Sequence, residues 1–168
     1  MKFTVRLGGL TRSLSIFLVL ICAAMTGRSA TLTDAVVVDY PWARATVPGQ
    51  QSAGVYLVLL AKTDLRLITV QTPVASVGEL HEMRLVDGVM QMRMLAEGLT
   101  VPADKKVELR PGGFHVMLSQ LKKPLLQDTS FPLTLIFADA NGNQIRQEIV
   151  VPVAAAGSVA STASHVHN

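Results

Sequence analysis

Five methionines, Met83, Met90, Met92, Met94 and Met117, lie between positions 83 and 117, and only Met1 and Met25 lie elsewhere. His81 and His115 sit in or beside the same window, and the other two histidines, His165 and His167, stand at the C-terminal end. Methionine is ordinarily a scattered filler of core gaps, so its concentration beside histidine calls for a chemical reason. Thioether sulfur and imidazole nitrogen together form a donor set that suits Cu(I), a soft cation.

The spacing gives this set a geometry. Asp87-Gly88 is a strong signal for a two-residue type I′ hairpin turn. Counting outward pairs Val86 with Val89, Leu85 with Met90, Arg84 with Gln91, Met83 with Met92, Glu82 with Arg93 and His81 with Met94. Side chains alternate faces along a strand, so His81, Met83, Leu85, Met90, Met92 and Met94 share one face. Glu82, Arg84, Gln91 and Arg93 take the other, with Glu82 and Arg93 poised as a weak cross-strand ion pair. If the first face is buried, its methionines are core, and Met90, beside the turn and opposite Leu85, is expected to be so. That reading suits His81 poorly, because a buried imidazole needs polar partners and this face offers it sulfur.

His115 and Met117 form the second half. Phe114, Val116 and Leu118 alternate toward one side, so His115 and Met117 point to the other, about 7 Å apart along the strand. The Pro111-Gly112-Gly113 turn before them is suited to bringing this strand beside the hairpin. Two His and two Met make a four-coordinate N₂S₂ set. H-x-M alone is a weak motif; joined to a Met-rich hairpin in a chain without a retained cysteine, it is a specific one.

The elements that must carry these residues begin after a leader. Lys2, Arg6 and Arg12 precede an apolar run from Leu14 to Met25, too short to span a bilayer comfortably, and Gly27 and Ser29 suit cleavage after Ser29. Residues 1–29 therefore read as a signal peptide, and retention as an N-terminal anchor is the competing reading. The sequence Leu20-Ile21-Cys22 is a poor lipid-attachment motif, because a bulky Ile precedes the cysteine. Of fifteen Lys and Arg, four (Lys2, Arg6, Arg12, Arg28) lie in this segment, while all twelve acidic residues lie beyond it. The processed chain is thus slightly acidic, without the basic excess that nucleic acid or an anionic membrane requires. Cys22, the only cysteine, leaves with the leader, which excludes disulfides and thiolate sites.

The remainder reads as short strands: 35–39, 54–60, 66–71, 79–86, 89–95, 106–109, 114–118, 133–138 and 144–151. Turn signals at Pro48-Gly49, Asp87-Gly88, Pro111-Gly112-Gly113 and Asn141-Gly142 separate them. No stretch holds a helical apolar period for three turns. The expectation is an all-β, antiparallel Greek-key β-sandwich in one domain, residues 30–153. A low-complexity tail, 154–168, reads as flexible.

His81-Glu82-Met83, Val89-Met90-Gln91-Met92-Arg93 and Leu109-x-Pro111-Gly112-Gly113-x-His115-Val116-Met117-Leu118 resemble the periplasmic PCu(A)C copper chaperones. Pro41-Trp42-Ala43-Arg44-Ala45-Thr46 and Tyr56 resemble that family's first half, and the resemblance covers roughly 35–151. It implies a cupredoxin-like fold and one Cu(I) held by His81, Met92, His115 and Met117. Met83, opposite Met92, is the undecided case, a candidate alternate donor during transfer. The ten residues between His81 and Met92 match the family pattern. Between Met92 and His115 lie 22 residues where 21 are usual, an insertion that the loop around 96–100 can absorb, and the stretch after Leu60 looks shorter than usual.

The resemblance further implies a monomeric, non-enzymatic periplasmic chaperone that delivers copper to a copper-receiving protein such as a cytochrome oxidase subunit, at its Cu(A) or Cu(B) centre. Nucleic acid is no partner, and no membrane span remains after leader removal. Two other readings compete: a copper-sequestering resistance protein with the same ligands, and a non-metal β-sandwich interaction module, which leaves the methionines unexplained. An electron-transfer cupredoxin wants a thiolate ligand, and none is available. His165 and His167 offer an imidazole pair suited to Cu(II); two incidental histidines in a flexible tail are the alternative. Trp42 is expected to pack on the sandwich edge, with Arg44 in solvent, rather than to mark a partner surface. Glu82 points away from His81 and has no assigned catalytic role.

Overall fold

The computed structural model describes residues 35–155, all strand, turn and loop. The expected leader, Cys22, most of the expected tail and its histidines, His165 and His167, lie outside the described residues.

Ten strands form: β1 (Val36–Arg44), β2 (Ser52–Ala61), β3 (Leu65–Gln71), β4 (Ala75–Val86), β5 (Val89–Met94), β6 (Leu99–Val101), β7 (Lys106–Leu109), β8 (Phe114–Leu121), β9 (Ser130–Ala138) and β10 (Gln144–Ala154). Their order across the ladder is β5-β4-β8-β7-β2-β1-β10-β9-β3-β6. Pairing is antiparallel except for two short parallel contacts, β1 with β10 and β7 with β8. The strands from β5 to β1 make one sheet and those from β10 to β6 the other, joined where Ala43 and Arg44 meet Val153 and Ala154.

A single apolar cluster draws on both sheets: Val55, Leu57 and Leu59 of β2, Val116 and Leu118 of β8, and Leu67, Leu133, Leu135 and Phe137 opposite them. Each such side chain contributes roughly 1.5–3 kcal/mol on full burial. Strand alternation produces this: β2 reads Ala53, Val55, Leu57, Leu59, Ala61 on its buried side. The expected all-β cupredoxin-like sandwich is the fold observed. Where β4 crosses β3, Gly78 leaves room that a larger residue would occupy, since a Cβ there would lie 2.6 Å from Val70 Cγ2 and 2.9 Å from its carbonyl oxygen.

The nine expected strands are present, several of them longer than expected, and the structure adds β6. β6 has only three residues, with Leu99 and Val101 buried against β3, too few to display a period. β1 runs on to Arg44 through an irregularity between Asp39 and Trp42, with Tyr40 at φ 51°. A bulge there accommodates Pro41, which has no N–H to donate.

The hairpin forms in the expected register, from Val86–Val89 out to His81–Met94. Asp87 and Gly88 both have positive φ, 50° and 79°, as a type I′ turn demands. One expectation fails: Met90 is not core. β5 is the edge strand and the hairpin overhangs the sandwich, leaving Met90, Met92 and Met94 48%, 50% and 52% exposed. Met90→Ala should therefore cost under ~1 kcal/mol of fold stability, whereas Leu118→Ala should cost about 2–5 kcal/mol. Urea unfolding of the two variants checks this, and equal costs would contradict the exposed placement.

Candidate metal centre

The site lies on the face of the first sheet that points away from the core. β4 and β8 pair so that Leu80 opposes Val116 toward the interior, and His81 therefore opposes His115 on the outside. Their ring centroids are 5.8 Å apart. Continuing the β2–β8 register by one residue places Tyr56 beside His115, with centroids 6.4 Å apart. Tyr56 pairs with Trp42 across β1–β2, and those rings stack at 4.6 Å. One row thus crosses five strands: Trp42, Tyr56, His115, His81, Met94. A Cβ at Gly54 would lie 2.6 Å from the Tyr56 hydroxyl oxygen, so the tyrosine lies down over that glycine and walls the histidines on one side.

The strands flanking the histidines carry sulfur. Met117 opposes Glu79 and is partly buried, and Met83 opposes Met92 at the exposed end. Met94, which the sequence reading left unassigned, directly opposes His81, whereas Met92 stands diagonal to it. The expected residues His81, His115, Met117, Met83 and Met92 all fall on this one face.

His115 is buried, with 7% exposure. Its Nδ1 donates to the Gly113 carbonyl at 3.1 Å, which leaves Nε2 free. The same carbonyl accepts from the Met83 backbone N–H at 3.1 Å, so the glycine turn clasps β8 to the hairpin. Burial lowers the His115 pKa below its ordinary 6.5; the Gly113 carbonyl acts against this, and the neighbouring His81 adds to the lowering. His81 Nε2 bonds Glu79 Oε2 at 3.0 Å, while its buried Nδ1 has no hydrogen-bond partner. Each imidazole therefore keeps one nitrogen uncommitted. Glu79 was missed in the sequence, although it lies two residues before His81 and so on its face.

Among the described residues no group of three or more His, Cys, Asp or Glu could hold an ion. The further side-chain donors on the face of the histidine pair are methionine sulfurs and the Glu79 carboxylate. A cleft of about 660 Å³ runs along the hairpin's other face, past Glu82, Arg93, Lys106 and Glu108, and contains no histidine. Glu82 there accepts from Arg93 at 3.0 Å, the expected cross-strand pair. Trp42 is buried, as expected of an edge-packed residue. Arg44 is partly buried rather than solvated, and its Nε is sequestered without a partner; β1 runs out to this residue, which pairs with Ala154 of β10.

This fold is that of PCuAC domains. A copper-bound PCuAC domain from PmoF2 superposes with a TM-score of 0.56 at 22% identity, over 72% of this chain and 93% of that one. The solution structure of CuI-DR1885 from Deinococcus radiodurans matches with a TM-score of 0.54 at 26% identity, over 79% of this chain and 85% of that one. Residues 36–153 match the family described as "Putative lipoprotein LpqE-like", and the chain belongs to that family. A relative from Leifsonia xyli subsp. xyli, "Putative lipoprotein Lxx21020", is 29% identical over 112 residues, 67% of this chain and 68% of that protein.

The lowered His115 pKa sets a sign for stability. The unfolded chain takes up the proton first, so apo-protein stability is highest above about pH 6.5 and falls as pH drops from there toward the folded-state value. The melting temperature should decrease between pH 7.5 and 5.5, and His115→Gln should flatten that decrease. Parallel curves for the two proteins would contradict the burial argument.

Proposed function

We propose that this protein is a periplasmic copper metallochaperone that holds one Cu(I) as cargo through His81, Met92, His115 and Met117. The observation that carries the reading is the outward-facing His81–His115 pair, each ring with one uncommitted nitrogen, beside methionines that packing does not require. The likeness to a copper-bound PCuAC domain and to CuI-DR1885 supports it.

The chemistry suits transfer. Thioethers bind Cu(I) without losing a proton, and imidazoles must be neutral to bind, which the burial of His115 favours. A buried His115 and a largely covered His81, with exposed methionines at the rim, allow an incoming acceptor to replace sulfur first. The family resemblance names a cytochrome oxidase Cu(A) or Cu(B) centre as the destination. The lipoprotein descriptions of the family and the Leifsonia relative fit export from the cytoplasm. The poor motif at Cys22 favours release by cleavage after Ser29 over lipid attachment.

Met92→Leu and Met117→Leu should each weaken Cu(I) binding at least tenfold, about 1.4 kcal/mol. Stability should hardly change, since Leu and Met swaps usually cost under ~1.5 kcal/mol. Met94→Leu should stay within threefold, and Met83→Leu should slow release to an acceptor more than it weakens binding. Chelator competition and X-ray absorption check these outcomes. A first shell without sulfur would sink the methionine assignment, and a larger loss in Met94→Leu than in Met92→Leu would transfer the role to Met94.

A further inference from the structure

We propose that Glu79 is a positioning residue that fixes which nitrogen of His81 meets the metal, so that the two histidines bind through different atoms: His81 through Nδ1 and His115 through Nε2. The inference rests on the copper reading above and adds to it the orientation of each ligand.

Glu79 and His81 are two residues apart on β4 and so share a face. An ionised carboxylate can only accept a hydrogen bond. The 3.0 Å contact between Glu79 Oε2 and His81 Nε2 therefore places the ring proton on Nε2. That leaves a bare lone pair on Nδ1, and this atom is buried and unpartnered. Buried polar atoms are nearly always satisfied, so an exception asks for an explanation; a metal ion on Nδ1 supplies one. Turning the ring over would break the bond to Glu79.

His115 is held in the opposite sense. The Gly113 carbonyl is also acceptor-only, and it holds the proton on Nδ1, leaving Nε2 bare. One histidine is thus oriented by a side chain and the other by the backbone. Carboxylates that accept the second N–H of a metal-bound imidazole recur in metal sites, where their loss typically costs 10–100-fold in affinity. The Glu79 side chain is 37% exposed, so the core does not require it.

Cu(I) is diamagnetic, and long-range ¹H–¹⁵N correlation spectra distinguish protonated, bare and metal-bound ring nitrogens. In the apo-protein, His81 should carry its proton on Nε2. Copper loading should shift Nδ1 of His81 and Nε2 of His115. Glu79→Ala should mix the His81 tautomers and weaken Cu(I) binding 10–100-fold with the fold intact. Glu79→Gln keeps an accepting oxygen and should stay within threefold of the wild type. Metal on Nε2 of His81 would overturn the inference while leaving the copper reading standing. So would a Glu79→Ala variant with unchanged tautomer and affinity, or a Glu79→Gln variant as impaired as Glu79→Ala. Copper that shifts neither histidine would overturn both.

Discussion

The antiparallel register of β4 against β8 is the constraint on which the site depends. It pairs Leu80 with Val116 inside and, by alternation, His81 with His115 outside. A one-residue slip of β4 would turn His81 into the core and Leu80 into solvent, and so part it from His115. The same burial that stabilises the sandwich therefore enforces the geometry of the site. Gly78 and Gly113 act at its two ends: one lets β4 lie close over β3, and the other supplies the carbonyl that holds both Met83 and His115.

Within that frame the nitrogen and sulfur side chains of this face are graded by exposure. His115 is sealed, His81 is nearly so, Met117 is partly covered, and the β5 methionines are half open. Burial disfavours the protonated form of the His115 imidazole. Thioether binding involves no proton, so exposed sulfur costs nothing in pH sensitivity. A soft ion held by firm nitrogens and loosely placed sulfurs suits exchange better than storage, because the outermost ligands are the easiest to replace.

Much of this could be read from local sequence. Asp87-Gly88 fixed the hairpin register, because a I′ turn leaves little freedom in pairing, and alternation around Val116 placed His115 and Met117 on the outer face. Long-range relations were harder. Nothing local states that His81 opposes His115, since that pairing spans 34 positions and depends on how β4 and β8 meet. The pattern points Met90 to the core because alternation alone cannot tell that a hairpin overhangs an edge. β6 was too short to carry a period, although it occupies the loop where the extra residue between Met92 and His115 was expected. Glu79 is within reach of the alternation rule, two residues before His81 on β4, but its type alone does not mark it out from other surface carboxylates.

The central claim is that His81 and His115 act on one ion. A double-mutant cycle on Cu(I) affinity, with His81→Ala, His115→Ala and the pair together, tests it most directly. Shared coordination predicts strong non-additivity, with the double variant little worse than either single one and a coupling above about 1 kcal/mol. Losses that simply add, within about 0.5 kcal/mol, would mean that the two histidines bind independently, and the site described here would be wrong.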